Sequence, residues 1–294
     1  MFRSSAKQIA ATLLLSTFVA PASAVPLTEL YFSQDSAWQT PVTEWNGGPQ
    51  GLTLAYNDTD SNTTIDQLAW TSTFNGNTSS LTVDSYNSNT SISSDGAWNA
   101  GEWWRIDRLF QENEVLSVAA NVPNPNPLWL ADVDGTFKVW TDMVEGSGLK
   151  IDDTTTTSIK YWETTNTSTA ANCTSPNPLN SACDDVYTVL SLSLNDLSFV
   201  QDDYRYTVSF RLESDSALVC DGSETSGPCL TEPNAQPGGG ELLRVYAQEN
   251  ADSEIFVAAQ WNAHKIPVPG SLALMGLGLA GLGFRAHRQR QANR

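Results

Sequence analysis

Short runs of alternating or β-branched residues recur from residue 52 to residue 261, and they limit the possible fold more than any other feature. In Ser80–Tyr86, for example, Leu81 and Val83 point to one face of an extended chain, and Thr82 and Asp84 point to the other. Clusters of Asn, Gly and Pro separate the runs and favour tight turns. The sequence therefore predicts an all-β fold, an antiparallel β-sandwich. The predicted strands are Leu52–Tyr56, Gln67–Phe74, Ser80–Tyr86, Trp103–Phe110, Thr136–Trp140, Ile159–Glu163, Val186–Leu192, Tyr204–Leu212, Leu242–Ala247 and Ile255–Trp261.

The body of the chain is expected to be a single domain. A helix is predicted only near Glu112–Ala120, and no internal repeat or shift in composition marks a domain boundary. Residues 25–264 are long enough to bury a substantial core, so we expect them to form one exported β-sandwich.

Residues 1–24 are typical of a secretory signal peptide. Arg3 and Lys7 supply the positive charge, and Ile9–Val19 is an apolar stretch too short to cross a membrane comfortably. Ala22, Ser23 and Ala24 provide the small residues of a cleavage site. An uncleaved N-terminal anchor is the alternative.

The other end of the chain has the pattern of a membrane helix. Nineteen uncharged residues lie between Lys265 and Arg285, and as a helix they reach about 28 Å, close to the thickness of a hydrocarbon core. Four arginines follow, and no acidic residue occurs after Glu254. The positive-inside rule then places the tail in the cytoplasm and residues 25–264 outside. We expect a membrane helix over about 269–284 and a basic end over 285–294.

This layout resembles the PEP-CTERM sorting tail of Gram-negative bacteria. The short Pro-containing motif is at 266–270, with Pro267, Val268 and Pro269, and the basic end begins at Arg285. Val268 stands where the family has a glutamate. The resemblance implies that an exosortase-type sorting enzyme removes the tail after a transient stay in the inner membrane. The protein would then reach the cell surface or the extracellular polysaccharide matrix. A permanent C-terminal anchor is the alternative.

The exported part is strongly acidic. All 33 Asp and Glu residues lie between the two ends, whereas the ends hold six of the 15 Lys and Arg residues. Such a charge argues against binding to nucleic acid or to anionic lipid. It is compatible with divalent cations, with a polysaccharide-rich exterior, or simply with solubility.

The four cysteines predict two disulfides, because an exported chain folds in an oxidising compartment. They are Cys173, Cys183, Cys220 and Cys229. Three pairings are possible, and the two local pairs would each close a loop of about ten residues. A site of four metal-bound thiolates is the alternative, although the spacing differs from paired CxxC motifs.

A second resemblance covers most of residues 65–235. The segments that carry it are Trp162–Asn166, Cys183–Tyr187, Asn195–Leu197, Tyr204–Tyr206 and Thr231–Glu232, together with the cysteines. They are similar to the central region of the THxN group of PEP-CTERM proteins. The naming motif falls at Phe110–Asn113 and keeps only Asn113. The group has no established activity, so the resemblance implies an architecture and an export route rather than a chemistry.

Histidine is nearly absent, which excludes much catalytic chemistry. His264 lies at the edge of the tail and His287 within it, so a Ser-His-Asp triad or histidine-bound zinc in the body is excluded. We therefore expect no catalytic activity and no cofactor other than possible structural calcium. Carboxylate pairs such as Glu102 with Asp107, or Asp184 with Asp185, leave a secreted glycoside hydrolase as the alternative.

Two acidic segments are candidates for that calcium. Asp132–Thr136 and Asp58–Asn62 place oxygen ligands at alternate positions of predicted turns, through Asp132 and Asp134 in one segment and Asp58 and Asp60 in the other. Neither segment completes a twelve-residue calcium loop, so an acidic turn in water is the alternative.

Tryptophan provides the candidates for ligand binding. Trp103 and Trp104 are adjacent in a predicted strand, so one ring should be buried and the other should face outward. Trp129 follows a Pro-rich loop and is the third candidate, with core packing as the alternative for each. We expect a non-catalytic surface or matrix protein that binds polysaccharide. A permanently anchored envelope adhesin is a further alternative.

Overall fold

The computed structural model describes residues 25–59, 63–84, 98–118, 127–142, 147–164, 173, 176–181, 183–191, 196–232 and 234–267. Within these ranges the protein is nearly all β, with two antiparallel sheets packed face to face. The predicted β-sandwich is therefore confirmed. The signal peptide and the predicted membrane helix fall outside the described residues. Within them, no helix combines the length and the apolar character needed to span a membrane.

The first sheet is built around a long central hairpin. Numbered in chain order, its strands lie in the spatial order β13 (Leu218–Cys220), β14 (Leu243–Ala247), β10 (Asp185–Ser191), β9 (Leu149–Trp162), β8 (Trp129–Trp140), β1 (Glu29–Trp38) and β6 (Trp98–Asn99), and β2 (Glu44–Trp45) also pairs with β8. The hairpin of β8 and β9 runs from the pair Trp129 and Tyr161 to the pair Trp140 and Leu149.

Among the described residues, the second sheet has seven strands, each paired antiparallel with its neighbours. Their spatial order is β11 (Leu197–Gln201), β12 (Tyr204–Ser214), β15 (Ser253–Lys265), β7 (Trp104–Glu112), β5 (Thr78–Asp84), β4 (Gln67–Ser72) and β3 (Leu52–Asn57). The described helices are short: α1 (Pro228–Thr231) and a 3-10 turn at Gly48–Gln50. A register shift between Val257 and Ala258, where β15 pairs with β7, sets the direction of the β7 side chains around Asp107.

The core fills the space between the sheets with aromatic rings. Trp70 of β4 packs against Trp129 of β8, with ring centroids 5.9 Å apart, and both side chains are fully buried. Trp129 also stacks on Tyr161 at 5.3 Å. At the other end of the sandwich, the Trp261 indole N–H donates to the carbonyl of Trp98 at 2.8 Å. These contacts join the two sheets along their length.

The predicted helix near Glu112–Ala120 is wrong over the described residues. Glu112 ends β7, and residues 113–118 have no regular structure. Their backbone groups bond to polar side chains of the β4–β5 hairpin: the carbonyl of Val115 accepts from Asn75 and Asn77, and the carbonyl of Ser117 accepts from Ser72. These bonds take the place of the intrahelical bonds that a helix would need.

Candidate functional site

The outer face of the seven-stranded sheet carries three arginines, each placed over an aromatic ring. We call this set the arginine face: Arg105 over Phe256 at 4.0 Å, Arg108 over Phe110 at 5.3 Å and Arg211 over Trp103 at 4.1 Å, measured from guanidinium carbon to ring centroid. Arg105 and Arg211 face outward because their strand neighbours Ile106 and Phe210 point into the core. The register shift in β7 brings Arg108, three residues after Arg105, to the same face. The result is a planar surface of rings and cations.

Carboxylates hold the arginines of this face in place. Arg105 forms ion pairs with Glu213 at 3.1 Å and Asp215 at 2.7 Å. Arg108 forms ion pairs with Asp84 at 2.7 Å and Glu254 at 3.0 Å. Hydrogen bonding to Arg105 lowers the pKa of Asp215. The pairs orient the guanidinium planes over the rings, although such exposed pairs stabilise the fold only slightly.

The three predicted tryptophans occupy different environments. Trp103 is partly exposed on the arginine face, whereas Trp104 points between the sheets, where its ring contacts Phe32 edge to face at 6.0 Å. Trp129 is 0 % exposed, so of the two alternatives for this residue the structure shows core packing. It begins β8 with its ring directed into the core.

The predicted calcium ligands of the 132–136 segment do not lie on a turn. Residues 132–136 lie in the middle of β8, where Asp132 and Asp134 share one face of the strand. Asp132 accepts from the Ser158 hydroxyl at 2.5 Å, and Asp134 accepts from Thr156 at 2.6 Å and Gln39 at 2.8 Å. The predicted turn is therefore wrong, because β8 pairs with β9 from Trp129 to Trp140 and with β1 from Val133 to Trp140.

The second acidic segment is only partly described. Asp58 follows β3, and its carboxylate accepts from the backbone N–H of Thr63 at 2.9 Å. Asp60 lies outside the described residues. Neither Asp58, Asp132 nor Asp134 belongs to a group of three potential metal ligands among the residues that the structure describes.

The cysteines form two local disulfides, Cys173–Cys183 and Cys220–Cys229, with Cα atoms 5.4 Å and 5.6 Å apart. Cys220 and Cys229 also lie near Glu224, but a disulfide removes the thiolates that a metal would need. The second disulfide ties β13 at the sheet edge to α1.

A group of buried carboxylates lies at one end of the core, and no sequence motif drew attention to it as a group. We call Glu163, Asp185 and Glu249 the carboxylate cluster, since one oxygen from each lies within 4.8 Å of the others. Glu163 follows β9, Asp185 begins β10, and Glu249 lies between β14 and β15. Asp185 is 0 % exposed and Glu249 is 8 % exposed. Antiparallel pairing of β9, β10 and β14 brings these three segments to the same end of the first sheet.

The Tyr161 hydroxyl contacts two members of this group. It is 2.9 Å from Glu163 Oε2 and 2.8 Å from Asp185 Oδ2. Burial raises the pKa of Asp185 to about 6, against the opposing effect of its hydrogen bonds from Thr164 and Tyr161. Burial, together with the charges of Asp185 and Glu249, raises the pKa of Glu163 well above its usual range.

In neither of the two carboxylate pairs considered for glycoside hydrolysis do the two side chains face each other. Asp184 accepts from the backbone N–H of Leu179 at 2.7 Å, whereas Asp185 accepts from Tyr161 and from the backbone N–H of Thr164. Glu102 is exposed and bonds to Asn99, whereas Asp107 points between the sheets to Ser36.

The fold and these sites define an acidic, disulfide-bonded, all-β domain. At its C-terminus, residues 265–289 match the family model described as the PEP-CTERM protein-sorting motif. The chain therefore carries this sorting motif, as its last residues predicted. The motif implies export, a membrane-anchored C-terminal sorting region and processing by an exosortase-type enzyme. The search of curated proteins and the search of solved structures gave no match. Membership of the THxN subgroup stays a prediction.

Proposed function

We propose that the exported domain is a non-catalytic surface or matrix protein that binds polysaccharide through the arginine face. Trp103 carries this proposal, because its partly exposed ring lies on an outer sheet face and has a charged planar group over it. Flat aromatic rings stack on the C–H faces of pyranose sugars, and neighbouring polar groups fix the orientation of a ligand. The face offers both kinds of group on one rigid sheet.

The polar groups around Trp103 fit the hydroxyls of a sugar chain. Arg211 donates to Glu213, which also accepts from Arg105 at 3.1 Å. Gln260 of β15 lies on the same face and donates to the carbonyl of Gly101. Arg, Glu and Gln side chains supply both donors and acceptors, as a sugar hydroxyl requires. Their mutual bonds hold them in place, so little side-chain entropy is lost when a sugar binds.

The test measures retention of the exported protein on immobilised polysaccharide from the native matrix. Trp103→Ala should weaken retention about five-fold or more, the loss expected for one stacked ring. Phe74→Ala is the matched control, because Phe74 is 62 % exposed but lies on the turn between β4 and β5, away from the arginine face. Equal retention of wild-type protein and both variants would contradict the proposal, as would release of shortened sugars from the column.

A further inference from the structure

We propose that the carboxylate cluster of Glu163, Asp185 and Glu249 binds one calcium ion, which joins the two sheets at this end of the sandwich. The site is distinct from the segments at Asp58 and Asp132. It takes its ligands from the end of β9, the start of β10 and the β14–β15 connection. It is independent of the proposed polysaccharide surface, because the cluster lies at an end of the core and not on the outer face.

The spacing of the ligand oxygens fits the coordination sphere of calcium. Calcium binds oxygen at about 2.3–2.6 Å, so ligands on opposite sides of the ion are about 4.6–5.2 Å apart. The three carboxylate oxygens lie within 4.8 Å of one another, a spacing that one calcium ion can bridge beside the Tyr161 hydroxyl. All three ligands are hard oxygen donors, the type that calcium prefers over imidazole or thiolate.

The charge of the cluster requires a counter-charge. Among the described residues, Glu163 and Asp185 form no ion pair with an arginine or a lysine. The hydroxyl of Tyr161 lies between them, but its single hydrogen can be donated to only one of the two carboxylates at a time. Neighbouring carboxylates in a buried site need a cation or a bound proton to coexist.

Unpartnered oxygen atoms around the cluster provide an independent indication of a ligand. Asn113 is 3 % exposed and bonds to Asp185, yet its Oδ1 has no hydrogen-bond partner among the described residues. Tyr187 is 0 % exposed, and its hydroxyl lacks a partner in the same part of the chain. The buried Oε1 atom of Glu163 also lacks a hydrogen-bond partner among the described residues. Buried polar atoms are nearly always satisfied, so three of them around one cluster indicate a missing partner.

The groups around the cluster come from both sheets. Asn113 follows β7 of the seven-stranded sheet, and its amide donates to the carbonyl of Gln248, next to Glu249. Tyr187 belongs to β10 of the first sheet, and its ring lies 4.9 Å from that of Tyr161. A calcium ion here takes carboxylates from the end of β9, the start of β10 and the β14–β15 connection, while the Asn113 amide group links the second sheet to Asp185 and Gln248.

Two measurements on the exported wild-type protein test the proposal. Elemental analysis of protein purified without chelator should find about one calcium per chain. After treatment with EGTA, addition of millimolar calcium chloride at pH 7.5 should raise the melting temperature by about 5–10 °C, as expected for a ligand that binds only the folded state. The same concentration of magnesium chloride should have a smaller effect, because magnesium requires a stricter octahedral geometry.

Matched variants assign the effect to the cluster. Glu163→Gln keeps the shape of the side chain but removes one charge, so it should abolish most of the calcium-dependent rise in melting temperature. Asp132→Asn is the control, because Asp132 lies on the outer side of β8 and was the calcium ligand expected from the sequence. It should leave the calcium response unchanged.

Three outcomes would overturn the proposal. One is wild-type protein without calcium whose melting temperature is insensitive to calcium and to EGTA. Another is loss of the calcium response in Asp132→Asn but not in Glu163→Gln. The third is a Glu163→Gln protein that melts higher than the wild type in EGTA and equally high in calcium, because the cluster would then be neutralised by a proton alone.

Discussion

At the scale of single residues, Asp107 shows how the sandwich changes the ionisation of a side chain. It lies in a cavity of about 80 Å³ between the sheets, with Asp153 also in the lining. Its carboxylate accepts hydrogen bonds from Ser36, from Gln34 at 3.3 Å and from the backbone N–H of Arg108 at 3.0 Å. Burial nevertheless dominates and raises the pKa of Asp107 to about 7. The folded protein therefore binds a proton that the unfolded chain releases near pH 4.

This shift predicts a specific pH dependence of stability. Between about pH 4 and pH 7 the folded state holds one more proton at Asp107 than the unfolded state does. The contribution of Asp107 to the free energy of unfolding therefore falls by about 1.4 kcal/mol for each unit by which the pH rises. Asp107→Asn should remove this dependence and should be more stable than the wild type at pH 8, with little difference at pH 4. Urea unfolding at a series of pH values measures it.

The comparison with Asp107→Asn also isolates this residue from other groups. Asp84 raises the pKa of Asp107, and the carboxylate cluster has raised pKa values of its own. The dependence of wild-type stability on pH is therefore the sum of the contributions of several groups. Only the difference between the two proteins reports Asp107. A difference that is constant from pH 4 to pH 8 would show that Asp107 ionises in the folded protein as it does in the unfolded chain.

Among the strands, the alternation of apolar and polar residues predicts those whose outward positions do not also favour turns. Each predicted strand, such as that in β5 or β12, overlaps an observed one. The sequence missed β1 and most of β8 and β9, because their outward positions carry Asp, Ser and runs of Thr, which also favour turns. Long hairpin pairing outweighs that local preference, as the register of β8 on β9 shows.

Local sequence patterns could predict only some parts of the candidate sites. The Trp103–Trp104 pair could be identified because adjacent strand residues face opposite ways. The carboxylate cluster could not, because Glu163 follows β9 and Glu249 follows β14, and only the order of the strands in the sheet brings them together. The sequence pairs Asp185 with Asp184, its neighbour along the chain, rather than with its neighbours in space.

The disulfide between β13 and α1 gives a prediction at this scale. Cys220 and Cys229 are 0 % and 3 % exposed and close a loop of nine residues. Replacing both with serine should lower the free energy of unfolding by about 2–3 kcal/mol, mainly because the unfolded chain gains freedom. Urea unfolding under non-reducing conditions measures the change. A loss below about 0.5 kcal/mol, or a peptide map that joins Cys173 to Cys220, would contradict this account.

At the scale of the whole molecule, the acidic body and the sorting tail have opposite charges. The tail after residue 265 holds four arginines and no acid, whereas the body holds all 33 acidic residues. The basic end suits the cytoplasmic side of a membrane, and the acidic body suits an exterior rich in divalent cations. The bound calcium that we propose belongs to that exterior, so folding of the body would be completed only after export.

The central claim is that the chain is exported and that its tail is then removed, and the intact mass of the native protein tests it most directly. The non-reduced mass would be measured for protein recovered separately from medium, matrix and membrane, with peptide mapping of both ends. We expect a medium or matrix species that begins at Val25, ends near Pro267 or Pro269, and has the mass of a chain with two disulfides. A protein found only in the membrane fraction and retaining Arg294 would contradict the account and make the tail a permanent anchor.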